Sequence, residues 1–427
     1  MSIDGARPLP DPQVCEQARL SRDPRFDGLF FTAVTSTGIY CRPVCPAPTS
    51  KRENVRYYPS AAAAEAAGFR PCLRCRPELA PGDSWLRSDG TVARALKLID
   101  DGVLAENPVA ALAARVGVGE RQLRRLFVER LGAPPRSVHG TRRLLFAKQL
   151  LTETTLPITE VALEAGFGSL RRFNAAFRDA YGMAPRDLRR HPERGNGAGA
   201  PRAGGAWSGD ETLRLRLGHR PPYDFRSLLA FLRTRALPGI EVIDADSYAR
   251  VFGPPDTPGW LRVSPWPGAA NTLRLELRCP RPTRILDVVT RLRRMFDLSA
   301  DPQSIAAALS EDEQLRRLVA RHPGLRLPGG WDGFEVAVRA VLGQQVSVAA
   351  ASTLAGRLVE RFGVPLESSF APGLDRLFPT PEALADADLA AIGLPQSRTA
   401  TLRGVARALL DGRVDFHPER PLAEFVA

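Results

Sequence analysis

The sequence predicts a multidomain chain, mainly α with α+β parts, and three observations carry that reading. Four of its six cysteines fall in two short stretches, "GIYCRPVCP" at 38–46 and "FRPCLRCRP" at 69–77. Two later segments repeat one pattern: a short Ala-rich helix, a Gly-containing turn, then an Arg-bearing helix. Beyond a Gly/Ala/Pro-rich stretch, alternating apolar residues announce strands. A length of 427 residues leaves room for several domains, each able to bury a core without disulfides.

Composition narrows the class. An apolar fraction of 44% with 25% charged residues is that of a soluble globular protein. No apolar run reaches the ~18 residues of a membrane span. The first residues, "MSIDGARPLPDPQ", lack the basic start and apolar run of a secretory signal. In a reducing cytosol, paired cysteines read as metal-binding or reactive. The net charge is +12, with its largest share in residues 91–190, which points to a polyanionic partner, most simply nucleic acid.

Taken in order, the first segment holds Cys41, Cys45, Cys72 and Cys75 as two close pairs. Each pair is a local chelate that fixes two ligands at little loop entropy, the pattern of a tetrahedral Zn²⁺ site. Between them "KRENVRYY" reads as a strand and "SAAAAEAAG" as a helix ending at Gly68. Four thiolates on Zn²⁺ leave a local charge of −2, so the sulfurs stay deprotonated and nucleophilic. Alkylating one sulfur cuts that charge to −1, and a DNA phosphate at ~6 Å then feels roughly 0.7–2.8 kcal/mol less repulsion. The pairing alone also fits a plain structural clip. Cys15 lies outside the motif and reads as a buried thiol.

Residues 91–190 read as almost all helix. "NPVAALAARVGVGERQLRRLFVERLG" and "LPITEVALEAGFGSLRRFNAAFRDAYG" each read as helix–turn–helix, joined by a helix around 141–151. In the first unit Leu123, Leu126 and Phe127 share the inner face and leave Arg121, Arg124 and Arg125 outward. In the second, Phe173 and Phe177 point inward, Ser169 is the N-cap, and Arg171, Arg172 and Asn174 occupy the first turns, which face base edges in recognition helices. "PERGNGAGAPRAGGAWSG" reads as a flexible tether. After it "TLRLRLG", "GIEVIDADSYARVF" and "NTLRLELRC" read as strands, with helices around 224–235, 282–296 and 311–321. From Trp331 the pattern is helical again through 361, then at 381–392 and 396–410. Cys279 reads as a core strand cysteine. Gln344 and Gln345, in "GQQVSV", sit on a turn entering a helix, where they could probe a duplex beside a flipped base.

These motifs carry family resemblances. "TGIYCRP", "RENV" and "GFRPCLRC", within Asp23 to Ala80, resemble the N-terminal zinc domain of Ada-type adaptive-response proteins. That resemblance implies that Cys41 takes a methyl group from a methylphosphotriester in DNA, once and irreversibly, and that promoter binding then tightens. Residues 91–190 resemble the AraC-type DNA-binding domain. No Pro-Cys-His-Arg motif follows, so repair of O6-alkylguanine is not expected. "RPPYDF" and "GLRLPG…GQQVSV", between Thr212 and the last residue, resemble AlkA-type 3-methyladenine DNA glycosylases. In that family a helix–hairpin–helix and a catalytic aspartate come after the region matching "QSRTATLRGVARALLDGRVDFHPERPLAEFVA"; Asp411 and Asp415 precede that point, and neither is given the role. No base excision is therefore expected, together with exposed apolar surface on the glycosylase-like half.

The resemblances divide the chain into a zinc-binding α/β domain at 1–82, an all-α double helix–turn–helix domain at 85–191 and a linker at 192–210. An α+β domain like the AlkA N-terminus follows at 211–322, then a partial all-α glycosylase domain at 323–427. The implied partners are double-stranded DNA, both promoter and alkylated, and RNA polymerase, with no membrane, in the bacterial cytoplasm at the nucleoid. A rival reading is a transcriptional regulator with a purely structural zinc site and a non-catalytic, DNA-docking C-terminal region.

Overall fold

The computed structural model describes residues 9–82, 90–100, 102–190, 211–279 and 285–416; the expected linker at 192–210 lies outside them. The chain opens with α1 (Pro12–Ser21), which starts where the Asp11 carboxylate accepts from the Gln13 N–H and proline occupies the first turn. A small sheet follows, built of β1 (Phe31–Val34), β2 (Ile39–Cys41), β3 (Val55–Tyr58) and β4 (Arg70–Pro71) in the order β3-β1-β2-β4. The strand expected over "KRENVRYY" begins only at Val55, because Arg52–Asn54 tighten into a 3₁₀ turn. Helix α2 (Ala61–Ala66) starts at Ser60, whose Oγ accepts from the Ala63 N–H.

The helical region comprises α3 (Thr91–Asp100), α4 (Val103–Glu106), α5 (Val109–Arg115), α6 (Glu120–Leu131), α7 (Pro135–Glu153), α8 (Ile158–Glu164), α9 (Leu170–Tyr181) and α10 (Pro185–Arg190). Pairs α5–α6 and α8–α9 are the two helix–turn–helix units, and α7 is longer than the linking helix expected at 141–151. Next comes a five-stranded antiparallel sheet, order β5-β9-β8-β7-β6, from β5 (Leu213–Gly218), β6 (Glu241–Ile243), β7 (Tyr248–Phe252), β8 (Gly259–Pro265) and β9 (Thr272–Arg278). Helices α11 (Phe225–Arg233) and α12 (Ile285–Met295) accompany it. Strand β8 was not singled out in the sequence: it is hemmed by proline and glycine on both sides, which reads as loop.

The remaining chain forms α13 (Pro302–Leu309), α14 (Glu313–Arg321), α15 (Gly333–Gly343) and α16 (Val348–Phe362). A short pair, β10 (Val364–Pro365) with β11 (Arg376–Leu377), precedes α17 (Pro381–Ala385) and α18 (Gln396–Leu410). Helix α14 buries no residue, and Leu315 and Leu318 stand exposed along it, as do Ile305 and Leu309 on α13.

The parts are not independent. One hydrophobic core runs from Leu150, Phe173 and Phe177 of the helical region into Leu215, Leu275 and Leu292 of the sheet and α12. Glu164 on α8 accepts from the Ile285 N–H and so caps α12 across that boundary. The zinc-binding region is held just as tightly. Arg220 has no exposed surface and donates to the carbonyls of Asp27, Pro81, Gly82, Ser299 and Ala300. The backbones beside it touch: a Cβ on Gly28, at φ +76°, would lie 2.3 Å from the Pro81 carbonyl oxygen, and one on Gly218 would lie 2.2 Å from that of Leu79.

A buried ion network crosses the same junction. Lys148 on α7 donates to Glu78 at 2.6 Å, Arg76 bridges Glu78 and Glu153 at 3.0 and 2.5 Å, and Arg216 on β5 reaches Glu153 at 3.2 Å. Burial alone would raise the Glu78 carboxyl, but the Lys148 and Arg76 charges hold it below its ordinary value of 4.5. A depressed acid contributes stability that is present above its unfolded pKa and is lost as the pH falls through its folded pKa. Glu78→Gln strands the buried Lys148 ammonium and is expected to cost roughly 3–5 kcal/mol at neutral pH. Urea unfolding should show the gap from wild type closing as the pH drops below 4.5; a gap independent of pH would contradict the assignment.

Candidate metal centre and nucleic-acid interface

The sheet register brings the two cysteine pairs together. Strand β2 ends at Cys41 and lies parallel to β4, with Tyr40 opposite Pro71, so Cys72 follows directly and its N–H bonds the Tyr40 carbonyl. A turn closed by the Cys45 N–H on the Arg42 carbonyl returns Cys45 toward Cys41. All four Sγ atoms lie within 4.8 Å of one another. Zn–S bonds of ~2.3 Å in a tetrahedron place sulfurs ~3.8 Å apart, so the cluster matches the size of a four-thiolate zinc site. As neutral thiols the four compete for protons. Hydrogen bonds from Cys41 pull Cys45 and Cys72 below the ordinary thiol value, those to Cys45 and Cys72 push Cys41 up, and burial raises Cys75. A divalent cation removes that conflict.

The shell around the cluster is asymmetric. Cys72 and Cys75 are buried, whereas Cys41 and Cys45 sit half-buried at the rim. Arg42 braces the buried side: its N–H donates to Cys75 Sγ at 3.3 Å and its guanidinium to the Cys75 carbonyl at 3.0 Å while pairing with Asp27. Cys15 and Cys279 lie elsewhere, both buried and pushed up to about 12 by desolvation, so neither is a reactive thiol at neutral pH.

The families that match tile the chain in order. "Metal binding domain of Ada" covers residues 14–78, "Helix-turn-helix domain" 112–191, "AlkA N-terminal domain" 214–332, and "HhH-GPD superfamily base excision DNA repair protein" 338–424. A Mycobacterium tuberculosis protein, "Probable bifunctional transcriptional activator/DNA repair enzyme AlkA", is 40% identical over 93% of this chain and 78% of its own length. The chain belongs to the bifunctional Ada/AlkA family. Escherichia coli "DNA-3-methyladenine glycosylase 2" is 38% identical over 46% of the chain and 67% of its own length. Escherichia coli "Bifunctional transcriptional activator/DNA repair enzyme Ada" is 37% identical over 40% of the chain and 48% of its own length. Zn²⁺ is the cofactor of this Ada/AlkA-family chain, and Cys41, Cys45, Cys72 and Cys75 are the group placed to hold it.

The residues read as DNA contacts occupy three separate elements. On α6, Leu123 and Phe127 are fully buried and Arg121, Arg124 and Arg125 exposed. Arg124 pairs with Glu120 at 2.7 Å and Arg125 with Glu129 at 3.6 Å, so part of this helix's positive charge is offset locally. On α9, Ser169 caps the first turn by accepting from the Arg172 N–H at 3.3 Å, Arg171 and Arg172 are exposed, and Asn174 is half-buried. Arg143 was missed in the sequence. From α7 it donates to the Ala165 carbonyl at 2.8 Å and lies over the Phe167 ring at 3.9 Å, pinning the turn that aims α9. Nothing in its local sequence separates it from its neighbour Arg142. The third element is the turn between α15 and α16, where Gln344 and Gln345 are both exposed. Arg398 holds the Gln344 carbonyl at 2.9 Å, and Gln345 adopts φ +57°, a left-handed conformation uncommon outside glycine. Asp411 ends α18 and pairs with Arg413 at 2.9 Å.

Two outcomes follow. Wild-type protein should carry one zinc per chain by native mass spectrometry, and Cys72→Ala should lose the metal and lower the melting temperature; full metal retention would remove Cys72 from the ligand set. Arg171→Ala should weaken promoter-duplex binding by about 1–3 kcal/mol and relax base preference at the contacted position, read by fluorescence anisotropy. Unaltered affinity at physiological salt would remove α9 from the interface.

Proposed function

We propose that this chain is a single-turnover acceptor of methyl groups from DNA methylphosphotriesters that also binds promoter DNA, with Cys41 as the acceptor. The observation that carries the proposal is the place of Cys41 in the cluster. Cys75 takes the Arg42 backbone N–H at 3.3 Å, which draws electron density from that sulfur, and it is buried together with Cys72. Cys41 stands half-buried at the rim, where a duplex backbone can reach it. When bound, Zn²⁺ keeps the thiolates deprotonated at neutral pH. The Cys41 thiolate attacks the methyl carbon, an S–C bond forms, and the C–O bond to the phosphotriester breaks. The electron pair leaves on oxygen and restores an ordinary phosphodiester; no proton moves. The product thioether has no second route to a thiolate, so each chain reacts once.

Loss of one negative charge at the rim favours the DNA backbone, and α6 and α9 supply the sequence-reading surface. The region from 211 onward supports a role in docking on damaged duplex, with Gln344 and Gln345 on the exposed turn that enters α16. Its family relatives are named as transcriptional activators, which supports RNA polymerase as the partner at the promoter.

Zinc-loaded protein incubated with a duplex carrying a methylphosphotriester should gain a single methyl group, mapped to Cys41 by peptide mass spectrometry. An unmodified cluster after prolonged incubation would leave the zinc site structural and sink the transfer reaction.

A further inference from the structure

The zinc-binding region and the five-stranded sheet enclose a cleft of about 390 Å³. One wall is the Cys41–Cys45 loop, contributing Val44, with Pro46 beyond it and Arg74 and Cys75 beside it. The other is β5 and the β8–β9 hairpin, contributing Arg216, Trp266 and Thr272. We propose that this cleft seats the sugar–phosphate backbone next to the methylated phosphate, with Trp266 as a platform and Arg74 and Arg216 facing the neighbouring phosphates. The inference rests on the Cys41 reading given above and assigns part of its DNA-binding surface to the glycosylase-like half of the chain.

Four features support it. Arg42, Arg74, Arg76 and Arg216 are among the residues lining the cleft, and so is Cys75. Asp27, Glu78 and Glu153 are shared among Arg42, Arg76 and Arg216, whereas Arg74 is exposed and has no carboxylate partner among the described residues. Arg74 is therefore the arginine of this wall left to meet a phosphate. Trp266 is half-buried on the hairpin, with the Arg216 guanidinium held 4.1 Å from its ring centroid. An aromatic plane beside a fixed cation packs against deoxyribose next to a phosphate and carries no sequence information. Cys75, whose Sγ lies within 4.8 Å of Cys41 Sγ, is one of the residues lining the cleft, so a strand presenting its methylated phosphate to Cys41 lies beside this wall. Finally, the wall is pre-organised, because Arg220 and the backbone contacts at Gly28 and Gly218 lock the sheet to the zinc-binding region. Neither wall alone forms the cleft.

The test uses the full-length, zinc-loaded chain and compares methyl transfer to Cys41 from a methylphosphotriester duplex with transfer from methyl iodide, which needs no DNA surface. In Trp266→Ala the ratio of the duplex rate to the methyl iodide rate, at subsaturating duplex, should fall about fivefold, and Trp266→Phe should restore most of it. A ratio equal to wild type in Trp266→Ala overturns the proposal, as does a parallel fall in both rates, which would make Trp266 a support of the metal site. If wild type takes methyl from methyl iodide but none from the duplex, the methylphosphotriester reading itself fails. The cleft is then judged on affinity for unmodified, non-specific duplex alone: weaker binding by Trp266→Ala upholds it, and equal binding overturns it.

Discussion

Arg220 is the constraint on which the arrangement of the whole chain depends. Its guanidinium is sealed from solvent and donates to main-chain carbonyls from three stretches of the described residues: Asp27, Pro81–Gly82 and Ser299–Ala300. Hydrogen bonds to a charged donor are worth roughly 1.5–3 kcal/mol each, and losing any of them leaves a buried group with its desolvation cost unmet. A single side chain therefore ties the metal-binding region to the sheet more firmly than an apolar patch of similar size, and it fixes geometry as well as proximity. The close backbone contacts at Gly28 and Gly218 are possible because neither residue carries a Cβ.

The same junction threads through the metal centre. The Asp27 carbonyl accepts from Arg220 while its carboxylate pairs with Arg42, and Arg42 in turn bonds the carbonyl and sulfur of Cys75. On the far side Arg76, next in sequence to Cys75, enters the ion network with Glu78, Lys148, Glu153 and Arg216. The ligand loops are thus clasped between α7 and β5, and the half-open edge left at Cys41 is a defined opening rather than a frayed one. A reactive thiolate needs this combination of rigid support behind and access in front.

How much of this could be read beforehand depended on the range over which each signal acts. The cysteine pairs are local chelates, so their spacing identified the metal, and the two helix–turn–helix units follow a 3.6-residue period that leaves Phe173, Phe177, Leu123 and Phe127 buried as expected. The turn at Gln344–Gln345 was legible from the helix starting beyond it, though its left-handed residue was not. What escaped acts across the chain. Arg220 and Asp27 are 193 residues apart, and a lone arginine before two prolines looks like surface. Arg143 resembles its neighbours until the turn it holds is folded beside it. Strand β8 was masked by prolines and glycines whose effect is overridden by pairing with β7 and β9 on both edges.

The shared core between the helix–turn–helix region and the sheet bears on how such a chain could be divided. Leu215, Leu275 and Leu292 bury their side chains against the same mass as Leu150, Phe173 and Phe177. A break in the peptide chain anywhere between 191 and 210 would separate two polypeptides that still need each other to cover apolar surface. The fragments would behave as a nicked single body, and neither would be a free-standing module to graft onto another protein. Recombination at that point, however convenient in the gene, would have to bring along a matching face.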